Sequence, residues 1–247
     1  MNFLRIIRFD FINIVRSPML LIMNTVFPIV LFIGFGFVTS SNFGGGQVSS
    51  YDYYGVTTII FSAIMISMTV TNTFMSKEVK KGNIRLAYAP VNKTEIYLSK
   101  LIATYIFGSL SYAIIILVEQ TVFQINFGGK NMGYILLLIN ILTFFGCCLG
   151  TLVCCLFKSE ERANAIMPIL ALLFVFFGGI FSPVGHYGQF LQQVANFSPV
   201  KWVTDSSFQI IYDQDFGIYL PTIAFLLFFS FICIGISQII FKPEEYV

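Results

Sequence analysis

Charge is scarce in this chain. Asp, Glu, Lys and Arg make up 11% of its 247 residues, while 57% are hydrophobic and 29 are Phe. Soluble domains carry about 25% charged residues, so this composition excludes an ordinary soluble globule and marks an integral membrane protein. Catalytic motifs are missing too. No G-x-x-x-x-G-K-[ST] segment exists, and Gly128-Gly129-Lys130 is too short to be one. The chain therefore has no P-loop route to ATP hydrolysis. The one histidine, His186, excludes an H-E-x-x-H metal site, and no Ser/His/Asp set falls at one depth. The five cysteines (Cys147, Cys148, Cys154, Cys155, Cys233) lack C-x-x-C spacing and all sit in apolar runs. They read as small packing residues, with no disulfide or metal expected.

What is present is a set of long apolar runs. A bilayer core takes about 20 apolar residues per helix, and six runs qualify: 19–38, 54–75, 101–123, 132–157, 163–182 and 218–241. They are too long and too uniformly apolar for the alternating strands of about 10 residues in a membrane barrel. The expected fold is all-α, with six spans in one domain over residues 1–247. The first 17 residues resemble a signal peptide only superficially. The apolar run that follows is longer than an h-region and no A-x-A site follows it, so the first span is expected to stay. An even number of spans puts both termini on one side. That side holds 12 of the 14 cations and the opposite side only Lys130 and Lys201. The positive-inside rule then makes both termini cytoplasmic.

Between the spans lie three distinctive segments. Residues 1–17 form an amphipathic helix, with Asn2, Arg5, Arg8, Asn13 and Arg16 on one side and Phe3, Leu4, Ile7, Phe11, Ile14 and Val15 on the other. Such a helix suits the membrane interface. Residues 39–53, with Gly44, Gly45 and Gly46, make a short flexible outer loop. Residues 183–217 are too apolar for a free loop and too polar to span. Two short outer helices broken at Pro199 and dipping into the leaflet fit them. Helix starts are signalled by Asn92 with Glu95, and by Ser159 ahead of Glu160 and Glu161.

Candidate functional residues fall in four places. Loop 76–100 carries six cations (Lys77, Lys80, Lys81, Arg85, Lys93, Lys100) against Glu78 and Glu95. A short helix from Lys77 to Ala89, ended by Pro90, is expected within it. It can meet an acidic partner or anionic lipid. In the second span Phe61, Met65, Met68 and Asn72 recur at i, i+4, i+7 and i+11, with Thr69 and Thr73 beside them. This face serves either helix packing or as a wall for an apolar substrate. Gly146 and Gly150 form a G-x-x-x-G step extended by Cys154, expected to pack helices within the chain, with dimerisation as the alternative. Glu119 is the one acid inside an apolar run. Counted from Leu101 at about 1.5 Å per residue, it lies near the outer interface. A solvated or pore-mouth carboxylate is expected there, with a proton relay as the alternative.

The loop carries a further pattern. Glu78, Gly82, Leu86 and Pro90 fall in the order E-x-x-x-G-x-x-x-L-x-x-x-P, and the basic Lys100 follows at the start of the third span. Beyond the fifth span come Ser182-Pro183, then Phe197-Ser198-Pro199 and Trp202. Together with six spans, an amphipathic start and the chain length, this resembles the type-2 permease family of ATP-binding-cassette (ABC) transporters. Asn83 departs from it, since a Thr commonly follows the Gly. The resemblance implies a half-transporter in a bacterial plasma membrane that exports a hydrophobic or amphipathic cargo by alternating access. It is not itself an enzyme and binds no cofactor. ATP and Mg belong to a separate ATPase subunit, expected in two copies, and a second permease chain, identical or related, completes the path among membrane lipids. No nucleic acid is involved.

The resemblance also assigns residues. Glu78, Lys80, Lys81, Gly82, Arg85, Leu86 and Pro90 become the coupling helix that docks on the ATPase. Phe61, Met65, Met68, Asn72, Phe174 and Phe177 line the path between spans two and five, Glu119 stands at its mouth, and Gly178-Gly179 permits a bend near the outer gate. Two other classes compete: an ATP-independent secondary transporter or channel subunit, and a membrane scaffold without flux.

Overall fold

A computed structural model describes residues 3–43, 48–76, 79, 92–181 and 189–242. Among these residues the structure is helical, with no strand. Helix α1 is Phe3–Arg16. A short break at Ser17 leads to α2, Pro18–Val38. Then come α3 (Ser50–Met75), α4 (Lys93–Val122), α5 (Met132–Phe157) and α6 (Glu160–Phe177). Two short helices follow, α7 (Gln189–Ala195) and α8 (Pro199–Phe208), the second continuing as a π-turn over Gln209–Asp213. Helix α9, Tyr219–Ile240, closes the bundle.

Helix α3 sits at the centre, packed against α2, α4, α5, α6 and α8. Its composition explains how a buried helix tolerates so many polar residues. The hydroxyls of Thr57, Thr58, Ser62 and Ser67 donate to carbonyls three or four residues back, at 2.6–2.9 Å. Each satisfies itself within its own helix, where no water is at hand. Against α3 lies the small face of α5. A Cβ on Gly146 would come 2.8 Å from the Ala63 carbonyl oxygen, and one on Gly150 would come 2.6 Å from that of Ser67. The G-x-x-x-G step therefore packs within the chain. The cysteines Cys147, Cys148, Cys154 and Cys155 are buried beside it.

Among the described residues five helices are long and apolar enough to cross a membrane: α2, α3, α4, the 129–157 helical segment that includes α5, and α9. Helix α2 and α9 turn large apolar side chains outward, including Phe37, Val38, Leu220 and Ile239. The expected fifth span, 163–182, is shorter than its sequence implied. Helix α6 carries Glu160, Glu161 and Arg162 in its first turn and stops at Gly178. Its uncharged part, 163–177, covers only about 22 Å at 1.5 Å per residue. It still connects the two ends of the bundle, because Tyr53 and Tyr54 at the start of α3 donate to the carbonyls of Gly179 and Phe181. Gly179 has φ +73°, a conformation glycine adopts without steric cost. The expected Gly178-Gly179 bend is thus the end of α6.

Other boundaries shift for identifiable reasons. Helix α3 starts at Ser50, ahead of the expected 54, because Ser49 caps it: the Asp52 amide donates to the Ser49 hydroxyl at 3.0 Å. Helix α4 starts at Lys93, where the Asn92 and Glu95 signal placed it, two turns ahead of the apolar run at 101. Asn92 and Ser159 occupy the expected N-cap positions, but neither side chain makes a capping bond. Pro199 opens α8, as its fixed φ favours at a first helical position. Ser198 then donates to the Phe174 carbonyl at 2.8 Å, tying α8 to α6.

Helix α1 does more than lie at an interface, for it packs along the start of α4. Its buried stripe is Ile6, Asp10 and Ile14. Leu4 and Val15, expected on the apolar side, are 75% and 39% exposed. The buried acid has a partner. Lys100 Nζ lies 3.5 Å from Asp10 Oδ1 and donates to the Thr73 carbonyl at 3.0 Å, while Ser99 donates to Asp10 Oδ2 at 2.8 Å. Lys100 is only 2% exposed. It was expected as a cation of the loop, and it is instead a helical residue committed to an internal pair.

Candidate functional site

The coupling residues Glu78, Lys80, Lys81, Gly82, Arg85, Leu86 and Pro90 lie outside the described residues, as do Lys77 and Ser182-Pro183. The site that the structure does describe is a surface of α3. From Tyr53 to Met75, Phe61, Met65, Met68 and Asn72 alone are not fully buried. They fall on one face at the spacing read from the sequence. The most enclosed helix of the bundle thus keeps one lengthwise stripe half-buried. Met and Phe make an adaptable apolar surface, and Asn72 places an amide at its end, with Nδ2 donating to the Met68 carbonyl at 3.1 Å.

Aromatic side chains border this stripe at the end of the bundle opposite α1. The Phe61 and Phe181 ring centroids are 6.3 Å apart, and Phe181 lies 5.9 Å from Phe35 of α2. Helix α6 runs antiparallel to α3 and contributes the half-buried Phe174 and Phe177. A cavity of about 460 Å3 lies at this end, between Tyr53, Gly179, Gln192, Asn196 and the Lys201–Asp205 pair. Phe208 stacks on Tyr53 at 5.2 Å beneath it.

Glu119 is not a solvated carboxylate. It is fully buried, and neither carboxyl oxygen has a hydrogen-bond partner among the described residues. The count along α4 placed its height, but height does not set which way a side chain faces. Glu119 follows Tyr112, Ile115 and Ile116 on the inward face of the helix.

A polar joint went unread in the sequence. A π-turn over Ile22–Val26 interrupts α2 and carries Asn24 inward. Asn24 Nδ2 lies 2.8 Å from the Leu20 carbonyl and 2.9 Å from Thr69 Oγ1. The Tyr112 hydroxyl is shared between Asn24 Oδ1 at 3.1 Å and the Ser62 carbonyl at 2.7 Å. Three helices therefore meet at one buried amide, and π-turns often mark functional positions. A lone Asn in an apolar run was its only sequence signal. Asn24→Ala is expected to lower stability by about 1–2 kcal/mol, read as a drop in thermal midpoint in detergent. An unchanged midpoint would mean that the network carries no net energy.

A multi-span helical membrane protein with a half-buried stripe on its central helix is the class that these features define. The chain belongs to the ABC-2 transporter family: the family model described as "ABC-2 family transporter protein" matches residues 40–239. Among curated proteins it is similar to the linearmycin resistance permease protein LnrN of Bacillus subtilis, 23% identical over 154 residues, covering 61% of this chain and 40% of that protein. It is also similar to the probable multidrug ABC transporter permease YbhR of Escherichia coli K12, 23% identical over 163 residues, covering 65% and 44%. The matches thus span less than half the length of each of these relatives.

Proposed function

We propose that this chain is the membrane subunit of an ATP-driven exporter for a hydrophobic or amphipathic cargo. The observation that carries the proposal is the stripe Phe61–Met65–Met68–Asn72, left half-buried on a helix whose other residues from Tyr53 to Met75 are buried. A second permease chain facing that stripe would enclose an apolar path. Phe174 and Phe177 on α6 would complete its wall, with α6 acting as the sixth span. The names of the relatives, a linearmycin resistance permease and a probable multidrug permease, accord with a drug-like cargo. The end of the bundle that carries α1 holds Arg5, Arg8, Arg16, Lys93, Lys158, Arg162 and Lys242. That asymmetry supports a cytoplasmic placement for this end and both termini. The segment with Glu78, Gly82 and Pro90 would then face the cytoplasm and couple to the ATPase, where ATP and Mg reside.

The test starts from tagged protein purified from its native host. A P-loop ATPase should co-purify, and the complex in liposomes should move an apolar fluorescent dye only with ATP. Glu78→Arg with Gly82→Pro should abolish both ATPase recovery and transport. The competing reading, an ATP-independent secondary transporter, draws on the buried Glu119. It gains the ground if the isolated chain carries dye under a proton gradient and Glu119→Gln stops it.

A further inference from the structure

The α1 end of the bundle holds a second cavity, of about 640 Å3, between α1, the corner at Ser17 and the end of α3. That volume lies in the range of about 300–1,000 Å3 typical of small-molecule sites. Its lining is mixed: the polar Asn13, Arg16, Asn72 and Ser76 share it with the apolar Phe9 and Met19, which are 50% and 66% exposed. Beyond Met19 the exposed face of α2 continues through Ile22, Met23 and Val26.

Among the described residues the charge in this cavity is unbalanced. Asp10 borders it, but its carboxylate is already matched by Lys100 and Ser99. Arg16 has no ion-pair partner among the described residues. What remains in the described lining is one guanidinium and the side-chain amides of Asn13 and Asn72, donors of the kind that hold a phosphate group. The exposed apolar face of α2 suits acyl chains. We propose that this cavity binds the headgroup of an anionic phospholipid from the leaflet at the α1 end, its phosphodiester on Arg16 and its chains along α2. The site needs only that α2 spans the membrane, so it stands whether transport is driven by ATP or by an ion gradient. Its lining includes Asn72, so the bound lipid would sit at one end of the α3 stripe.

Native mass spectrometry of the detergent-purified chain tests this, using phosphatidylglycerol and phosphatidylcholine as probes. One phosphatidylglycerol per chain should be retained preferentially. A cation facing anionic lipid contributes about 1 kcal/mol, so Arg16→Gln should lower that occupancy about fivefold. Arg8→Gln removes an exposed α1 cation that does not line the cavity, and should leave occupancy unchanged. Asn13→Leu, which keeps all charges, should also weaken retention and guards against misfolding of the Arg16 variant. Equal losses in Arg8→Gln and Arg16→Gln would mean general surface attraction and overturn the site. So would equal retention of phosphatidylcholine, or competition by inorganic phosphate alone, which would indicate a soluble anion.

Discussion

Lys100→Met should detach α1 from the bundle. The substitution leaves the Asp10 carboxylate 3% exposed with, among the described residues, only the Ser99 hydroxyl donating to it. Removing one partner of a buried pair costs about 3–5 kcal/mol, because the remaining charge is stranded away from water. Such a loss is comparable to the whole stability of many domains, about 5–15 kcal/mol. The damage should be local, since the pair joins α1 to α4 and to the end of α3 through the Thr73 carbonyl. Hydrogen exchange is therefore expected to rise through residues 3–16 while α3 and α5 stay protected. Adding Asp10→Leu should restore most of the protection, because two apolar side chains of similar size often replace a buried pair at little cost. A double variant as exchanged as the single one would show that the pair is not what holds α1. The position gives the test functional weight. Helix α4 begins at Lys93, just beyond the segment proposed to meet the ATPase, so the clamp holds the structure into which that segment leads.

Much of the architecture was legible because the membrane forces long apolar runs on the sequence. Helix α5 starts and ends where its run does, at 132 and 157. The half-buried stripe was legible for a related reason. An i, i+4, i+7, i+11 recurrence marks one face of a helix, and Phe61, Met65, Met68 and Asn72 share that face in the structure. What periodicity leaves undecided is what each face meets. Asp10 and Lys100 are 90 residues apart, and only tertiary packing brings them together. Lys100 read as a loop charge because apolarity begins at residue 101, although the Asn92 and Glu95 signal already started the helix near residue 93, where it does begin. Glu119 read as solvated because depth along an axis carries no information about orientation around it. The polar joint at Asn24 depends on a π-turn, which shifts the helical register and has no compositional signature. The segment read as a coupling motif lies outside the described residues.

Gly150→Leu should remove the folded protein altogether. A Cβ at this position would lie 2.6 Å from the Ser67 carbonyl oxygen and 3.0 Å from the Ser67 Cα, both backbone atoms of the buried α3. A flexible side chain would swing aside, but backbone in the centre of a bundle yields only if two helices part. In a membrane that separation forfeits the close packing that holds helices together, since lipid is as apolar as the helices themselves. Gly146 faces the Ala63 carbonyl in the same way one turn earlier, so the approach is continuous along α5. Gly150→Ala should lose part of the monodisperse detergent-solubilised protein and Gly150→Leu nearly all of it, measured by fluorescence-detected size exclusion. The comparison that makes the result specific is Gly34→Leu in α2 and Gly235→Leu in α9. No atom lies within 4 Å of a Cβ built at either site. There the larger side chain meets open space, and replacing glycine raises helix propensity by up to about 1 kcal/mol. Those variants should express as well as the parent. If Gly34→Leu or Gly235→Leu failed as Gly150→Leu does, the loss would reflect a general intolerance of bulk, and the close approach of α5 to α3 would not be its cause.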